Sequence, residues 1–276
     1  MKWFRFIVSH SLFIAACAAA QCFQTAILLK ADLSYWFYLF VFFSTICSYN
    51  FYWLLSSYSF SRGDFMKHLR RYYTNGLVLF FAAAGLLFSL QHLQGLLPVI
   101  TVSAALTLIY AVPLLPFKSL QFARRAGLLK TALLAFTWAF TVVYIPYSHI
   151  HAADTKALLL LFLIRFLFML MLCIIFDARD THIDKIRGLE SLTTMFRPFT
   201  VRLIMVVLFA AYITTGIIYR LHYNETGQIA ALLLTGLAVA VTYFLSLKKQ
   251  GYFFYYFWVD GLMLFSAAIT FMVSIS

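Results

Sequence analysis

From Ala157 to Phe176 the chain runs through twenty residues broken by one charge, Arg165, and then meets Asp177, Asp180 and Asp184 within eight residues. About twenty apolar residues is the length a helix needs to cross hydrocarbon, so the run reads as a membrane span. Continued as a helix, it sets the three carboxylates at spacings of three and four, on one face. Three like charges so close repel one another unless a cation lies among them. Only nine Asp and Glu exist in the chain, which makes three at one span exit a signal. Oxygen ligands at this spacing suit Mg²⁺ shared with a phosphate group. From spacing alone an alternative stands beside it: a solvated helix end whose acids pair with Arg179, Lys185 and Arg187.

The remaining sequence has the same character. Hydrophobic residues make up 64% and charged residues 11%, and the mean hydropathy is +0.90. One aqueous core cannot hide that much apolar surface. The expected fold class is an all-α polytopic membrane protein with nine transmembrane helices, at about 11–29, 35–56, 76–93, 96–114, 127–147, 157–176, 202–219, 228–247 and 254–274. Residues 1–276 form a single integral domain on this reading. The start resembles a secretory signal, but its apolar run continues to Leu29, too long for such a signal, and a retained first helix is expected. Cys17, Cys22, Cys47 and Cys173 all fall in spans and read as small apolar fillers.

A net charge of +12 would suit a nucleic-acid partner if it formed a patch. Instead the Lys and Arg residues fall in alternate loops: Lys2 and Arg5, Arg62 to Arg71, Lys118 to Lys130, Arg179 to Arg202, and Lys248 with Lys249. Lys30, Lys156 and Arg220 fall on the other side, and Arg165 lies inside a span. This is the positive-inside pattern. It predicts the N-terminus inside, the C-terminus outside, the Asp cluster facing the cytoplasm and no nucleic-acid role. The expected location is the bacterial inner (cytoplasmic) membrane.

Other polar residues in the spans are candidates. Asn50 closes span two, and an Asn at that depth either bonds a neighbouring helix or serves a site. After span four come Tyr110, Pro113, Pro116 and Lys118, then Arg124, Arg125 and Lys130, on the same side as the Asp cluster. These cations either fix topology or cradle an anion such as phosphate. Arg165 and Asp260 are charges within spans, either functional or paired with each other. Asn50 and Asp177 end spans two and six on one side, as two four-helix halves around one site would place them.

Nine spans, an Asn motif closing span two and an Asp motif closing span six resemble the UbiA superfamily of intramembrane prenyltransferases. The strongest local match is D-x-x-D-x-x-x-D at Asp177, Asp180 and Asp184, followed by Gly188, Leu189, Glu190, Ser191 and Leu192. The Tyr110-x-x-Pro113…Lys118 segment adds support. The resemblance implies a UbiA-like bundle around a central cavity. It also implies a prenyl diphosphate held through Mg²⁺ and a prenyl group passed to an aromatic or other lipophilic acceptor among membrane lipids. The family's first motif, N-D-x-x-D-x-x-x-D, keeps only Asn50 here; Phe51, Leu54 and Tyr58 stand where its carboxylates would be.

The expectation that follows is a prenyltransferase with a reduced metal site. Asp180 and Asp184 would be catalytic, with Asp177 completing the Mg²⁺ ligands. Asn50, Lys118, Arg124, Arg125, Lys130 and Lys185 would hold the diphosphate as fixed polar and positive groups. The competing expectation is a catalytically inactive UbiA-like scaffold that binds lipid or serves as a subunit beside a membrane-protein partner.

Overall fold

The computed structural model describes residues 2–61, 73–111, 127–150, 154–187 and 192–275, and the side chains of 6–54, 73–111, 127–150, 154–179 and 193–275. Every element among them is helical. In chain order they are α1 (Lys2–Ser9), α2 (Leu12–Leu28), α3 (Tyr35–Ser61), α4 (Tyr73–Leu90), a 3₁₀ turn (Gln94–Leu96) and α5 (Leu97–Ala111). Then follow α6 (Gly127–Ile150), α7 (Thr155–Arg187), α8 (Leu192–Met195), α9 (Pro198–His222), α10 (Gln228–Ser246) and α11 (Phe254–Ile275).

Among the described residues eight helices are long and apolar enough to cross a membrane. The ninth expected span corresponds to α2, whose 17 residues fall at the lower edge of spanning length. Local chemistry sets several boundaries. Asp154 Oδ1 accepts the backbone N–H groups of Lys156 (2.9 Å) and Ala157 (3.0 Å) and so caps the start of α7. Pro198 opens α9, where its missing N–H would have had no helical partner.

Helices α2, α3 and α4 pack in sequence, as do α5, α6, α7, α9, α10 and α11, and α11 closes back on α2. Helix α7 is the core of this ring. Apolar on all sides, it buries Phe168, Met171, Leu172, Ile174 and Ile175 almost completely, as a helix hydrophobic all round must. The outward faces of α4, α9 and α10 carry exposed Phe80, Phe81, Val206, Val207, Leu237 and Phe244. A band of that kind suits lipid, and the chain is an integral membrane protein.

Small residues and polar bonds draw the helices together. A Cβ on Gly216 of α9 would lie 2.6 Å from the Leu232 methyl carbons of α10, and one on Gly85 of α4 would lie 2.6 Å from the Phe43 ring of α3. Such close approach is how helices associate where lipid offers no hydrophobic drive. Two helices contain a π-helical stretch, Phe140–Tyr144 in α6 and Phe254–Val259 in α11. In the first, Val142 O accepts the hydroxyl of Thr25 at 2.7 Å, joining α6 to α2.

The two charges inside spans are not partners. Arg165 donates to Gln21 Oε1, and its Nη2 donates to Gln24 Oε1 at 2.9 Å. Asp260, on α11, follows the Tyr255–Tyr256 stretch against which Arg179 packs. Pairing was one of the two readings that the sequence left open for these charges, the other being a functional role. The amides of Gln21 and Gln24 take the place of a carboxylate beside Arg165.

Candidate active site

Helix α7 does not stop at the end of its apolar run. With no Gly or Pro between Phe176 and Arg187, it continues to Arg187. Positions 177, 180 and 184 therefore share one helical face, and they span about 10 Å along the axis. Asp177 has a described side chain, whereas those of Asp180, Asp184 and Lys185 lie outside the described set. Lys118, Arg124 and Arg125 lie outside the described residues altogether.

Two neighbouring elements fix Asp177, which is half-buried. Thr131 Oγ1 of α6 lies 2.8 Å from Asp177 Oδ2 and 3.1 Å from Gly127 O. A hydroxyl has a single proton, and the shorter, charge-assisted contact is the stronger acceptor for it. Thr193 Oγ1 of α8 donates to the Asp177 carbonyl at 2.9 Å, which folds the chain after α7 back onto this point. The residue before Thr131 is Lys130, whose Nζ stands 5.5 Å from the centre of the Tyr110 ring. That ring stacks on Tyr52 of α3 at 5.3 Å. Lys130 thus brings a cation to the same end of α6 as the Thr131–Asp177 contact.

On α7 two residues beyond Asp177, the Arg179 guanidinium sits over three rings: Tyr256 at 4.8 Å, Phe176 at 5.2 Å and Tyr255 at 5.3 Å. Each such contact is worth about 0.5–2 kcal/mol depending on desolvation. The π-helical stretch of α11 carries both tyrosines and ends at Asp260; π-bulges often mark functional sites. Arg179 was named from the sequence only as a local partner for the acids; Tyr255, Tyr256 and Thr131 were not singled out. The paired Tyr255-Tyr256 upstream of Asp260 was the available signal.

Asn50 is 1% exposed, and its amide binds within the bundle. Nδ2 donates to His10 O (3.1 Å) and Ile46 O (2.9 Å), and Oδ1 accepts from Asn75 Nδ2 at 3.4 Å. Both N–H groups are thereby committed, so this geometry is the interhelical reading of Asn50. Among the described residues no three His, Cys, Asp or Glu side chains gather as a metal site. The donor type at the α7 terminus nonetheless suits a hard divalent cation. Carboxylate oxygens are the ligands such cations take.

No protein-family model matches the chain, and no curated protein does. Two solved structures share its fold over nearly the whole length. A UbiA homologue from Aeropyrum pernix K1 in its apo form aligns with TM-score 0.57 at 13% identity, covering 97% of this chain and 96% of that one. A digeranylgeranylglyceryl phosphate synthase aligns with TM-score 0.55 at 11% identity, covering 99% and 98%. At that identity the likeness speaks to architecture: this chain has a UbiA-like fold.

Proposed function

We propose that the chain is an intramembrane prenyltransferase with a reduced metal site. It would move a prenyl group from a prenyl diphosphate to a lipophilic or aromatic acceptor within the membrane. The observation that carries this reading is the unbroken α7 terminus, which aligns Asp177, Asp180 and Asp184 on one face while Thr131 holds Asp177 in place. Bound there, Mg²⁺ would neutralise charge on the diphosphate leaving group. Asp177, Asp180 and Asp184 would hold that cation, and Lys130, with Lys118, Arg124, Arg125 and Lys185, would supply fixed positive charge. The allylic C–O bond breaks with its electron pair leaving on the diphosphate. The acceptor forms the new bond to carbon and releases a proton. Asn50, with both N–H groups committed, supports the bundle instead of the anion. The positive-inside pattern would place this end of the bundle in the cytoplasm.

The test is thermal stabilisation of the purified protein by geranyl or farnesyl diphosphate with Mg²⁺, in wild type and Asp180→Asn. Stabilisation that needs both metal and diphosphate, and vanishes in the variant, supports the reading. Stabilisation indifferent to EDTA and to the substitution overturns it.

One specific observation favours a second reading, a non-catalytic scaffold or subunit. Phe51 and Leu54 replace the carboxylates of the first motif, and the remaining Asn50 is committed to helix packing. Co-purification with a stoichiometric membrane partner, together with no diphosphate release from any prenyl donor, decides for it.

A further inference from the structure

Asp260 is a carboxylate inside the bundle that the donor site at the end of α7 does not use. Its place follows from its neighbours on α11. Phe257, one turn before it, packs on Phe13 of α2 with ring centres 5.0 Å apart, and a Cβ on Gly261 would lie 3.6 Å from the same Phe13 ring. Tyr256 lies under Arg179 of α7 at 4.8 Å and 6.1 Å from the Phe176 ring. Asp260 therefore sits in the wedge between α2 and α7. Cys17, Tyr49 and Cys173, on α2, α3 and α7, stand near it. Tyr256 is level with the Asp177 end of α7, so Asp260, four residues further along α11, lies about 6 Å deeper in the bundle.

The carboxylate is open and unpartnered. Asp260 is half-buried, and among the described residues it makes no hydrogen bond and no ion pair. Neither of its oxygens is sealed, unlike Arg165 Nε or His10 Nε2, which are buried without a partner. A carboxylate oxygen that lies inside the bundle and keeps open surface lines a cavity. Tyr49 borders the same space, being 37% exposed although its ring packs edge-on to the buried Trp138 at 6.4 Å. One turn on from Tyr49, Tyr52 stacks on Tyr110, the ring that Lys130 approaches, so this wall leads toward the Asp177 end. An ionisable group at such depth is costly and marks a site by default.

We infer that Asp260 seats the acceptor: it accepts a hydrogen bond from the hydroxyl of a lipophilic alcohol or phenol and takes that proton as the prenyl group arrives. This rests on the prenyl-transfer reading above. An ionised carboxylate offers only lone pairs, so its partner must bring an O–H or N–H. Arg179, on the rings one turn away, disfavours a second cation there. A neutral hydroxyl meets both conditions and has a proton to give. A diphosphate held at the Asp177 end would send its prenyl chain inward, past the level of Asp260. In the transfer the allylic C–O bond breaks with its electron pair staying on the diphosphate. The acceptor oxygen bonds to that carbon, and its O–H proton passes to a carboxylate oxygen of Asp260. A base positioned in this way is worth about 10²–10⁴ in rate.

The experiment gives the detergent-purified full chain para-heptylphenol, dodecanol or para-heptylanisole, the last having the phenol's shape without its O–H. Binding is read by thermal shift with no donor present. Transfer is read by mass spectrometry of the prenyl ether after farnesyl diphosphate and Mg²⁺ are added. In wild type a hydroxyl probe is expected to bind about ten-fold more tightly than the anisole, as a hydrogen bond to a charged group allows; which of the two does so separates a phenol from an alcohol. Asp260→Asn is expected to lose that preference and about 100-fold of ether formation, while Mg²⁺-dependent stabilisation by farnesyl diphosphate persists. Asp260→Glu keeps a carboxylate and recovers part of both. Binding of the anisole as tightly as the hydroxyl probes overturns the inference, as does ether formation by Asp260→Asn at the wild-type rate. Absence of any stabilisation by farnesyl diphosphate in wild type would instead sink the prenyl-transfer reading. The binding arm then decides alone: a hydroxyl preference lost in Asp260→Asn upholds the seat at Asp260, and one that survives overturns it. Asn matches Asp in shape and removes an unpaired charge, so the variant keeps the fold.

Discussion

Arg165 on α7 donates from Nη2 to Gln24 Oε1 on α2 at 2.9 Å, and Gln24 Nε2 passes the chain on to Thr270 Oγ1 of α11 at 2.7 Å and Ser266 Oγ at 2.9 Å. Gln21 joins it, accepting from Arg165 and donating to Met263 O at 2.6 Å. A cation buried midway along α7 is thus solvated by neutral amides, and three helices that are far apart in sequence are tied at one level. Polar side chains inside a membrane bundle find partners of this kind because hydrocarbon offers none.

Breaking this network from its two ends has unequal consequences. Gln24→Leu takes the Nη2 acceptor from the guanidinium and leaves it with Gln21 alone. A lost hydrogen bond to a charged group costs about 1.5–3 kcal/mol, to which the bonds to Ser266 and Thr270 add. Arg165→Met removes the charge together with its desolvation penalty and leaves Gln21 Oε1 short of a donor, about 1–3 kcal/mol, while Gln24 Oε1 keeps those of Gln21 Nε2 and Ser266 Oγ. Unfolding midpoints in detergent are expected to fall further for Gln24→Leu than for Arg165→Met. The reverse order would show that the cation does not depend on Gln24.

Thr131 orients the carboxylate at the candidate site, so its loss should register in ligand binding before stability. Thr131→Val deletes one hydrogen bond to Asp177, worth about 1 kcal/mol. Mg²⁺-dependent stabilisation by farnesyl diphosphate is expected to weaken about five-fold, with the unliganded midpoint nearly unchanged. Thr131→Ser keeps the hydroxyl and restores the response. A valine variant with full response would remove Thr131 from the site.

The Asp154–Tyr223 contact of 2.5 Å gives the far end a pH signature. The Tyr223 hydroxyl first, and the Ala157 N–H second, hold the Asp154 carboxyl below its ordinary value of 3.8. A depressed carboxyl contributes stability above its unfolded value and loses it as pH falls through the folded one. Desolvation first, and the bond to Asp154 second, push Tyr223 up to about 12. Its contribution is present below its unfolded value and lost as pH rises through about 12. Wild type should therefore lose this contact at both extremes. Tyr223→Phe should flatten both limbs of the midpoint-against-pH curve, and unchanged limbs would show that the contact carries no linkage.

The sequence made some of this legible and hid the rest for identifiable reasons. The α7 run and the three Asp positions could be read because length, apolarity and i, i+3, i+7 spacing are properties of one segment. The partners of Arg165 could not, because they sit 141 and 144 residues away and depend on how each helix is rotated in the ring. Gln21 and Gln24, three apart in an otherwise apolar span, were the overlooked clue. Asn50 matched a motif position, yet its role turned on His10 and Asn75, which only the packing brings near. Asp260 was read as a charge within a span, and α11 places it in one, while the packing of Arg179 on the tyrosines before it required the facing of α7 and α11.

The contact between α9 and α10 is set by the absence of a side chain, and it yields a test of the fold independent of any ligand. At Gly216 an added Cβ would stand 2.6 Å from both Leu232 methyl carbons, well inside van der Waals contact. Leu232 is 1% exposed, so it has little open space into which to swing, and the helices must separate instead. Overpacking of this kind costs about 1–3 kcal/mol, and a β-branched residue has the fewest rotamers with which to avoid it. Gly216→Val is expected to lower the unfolding midpoint clearly. Adding Leu232→Ala opens the facing volume and should recover part of the loss despite the cavity that Leu232→Ala creates alone. Measured as a double-mutant cycle, the coupling between the two positions should be favourable and exceed about 0.5 kcal/mol. Strict additivity would mean that α9 and α10 do not meet at these residues.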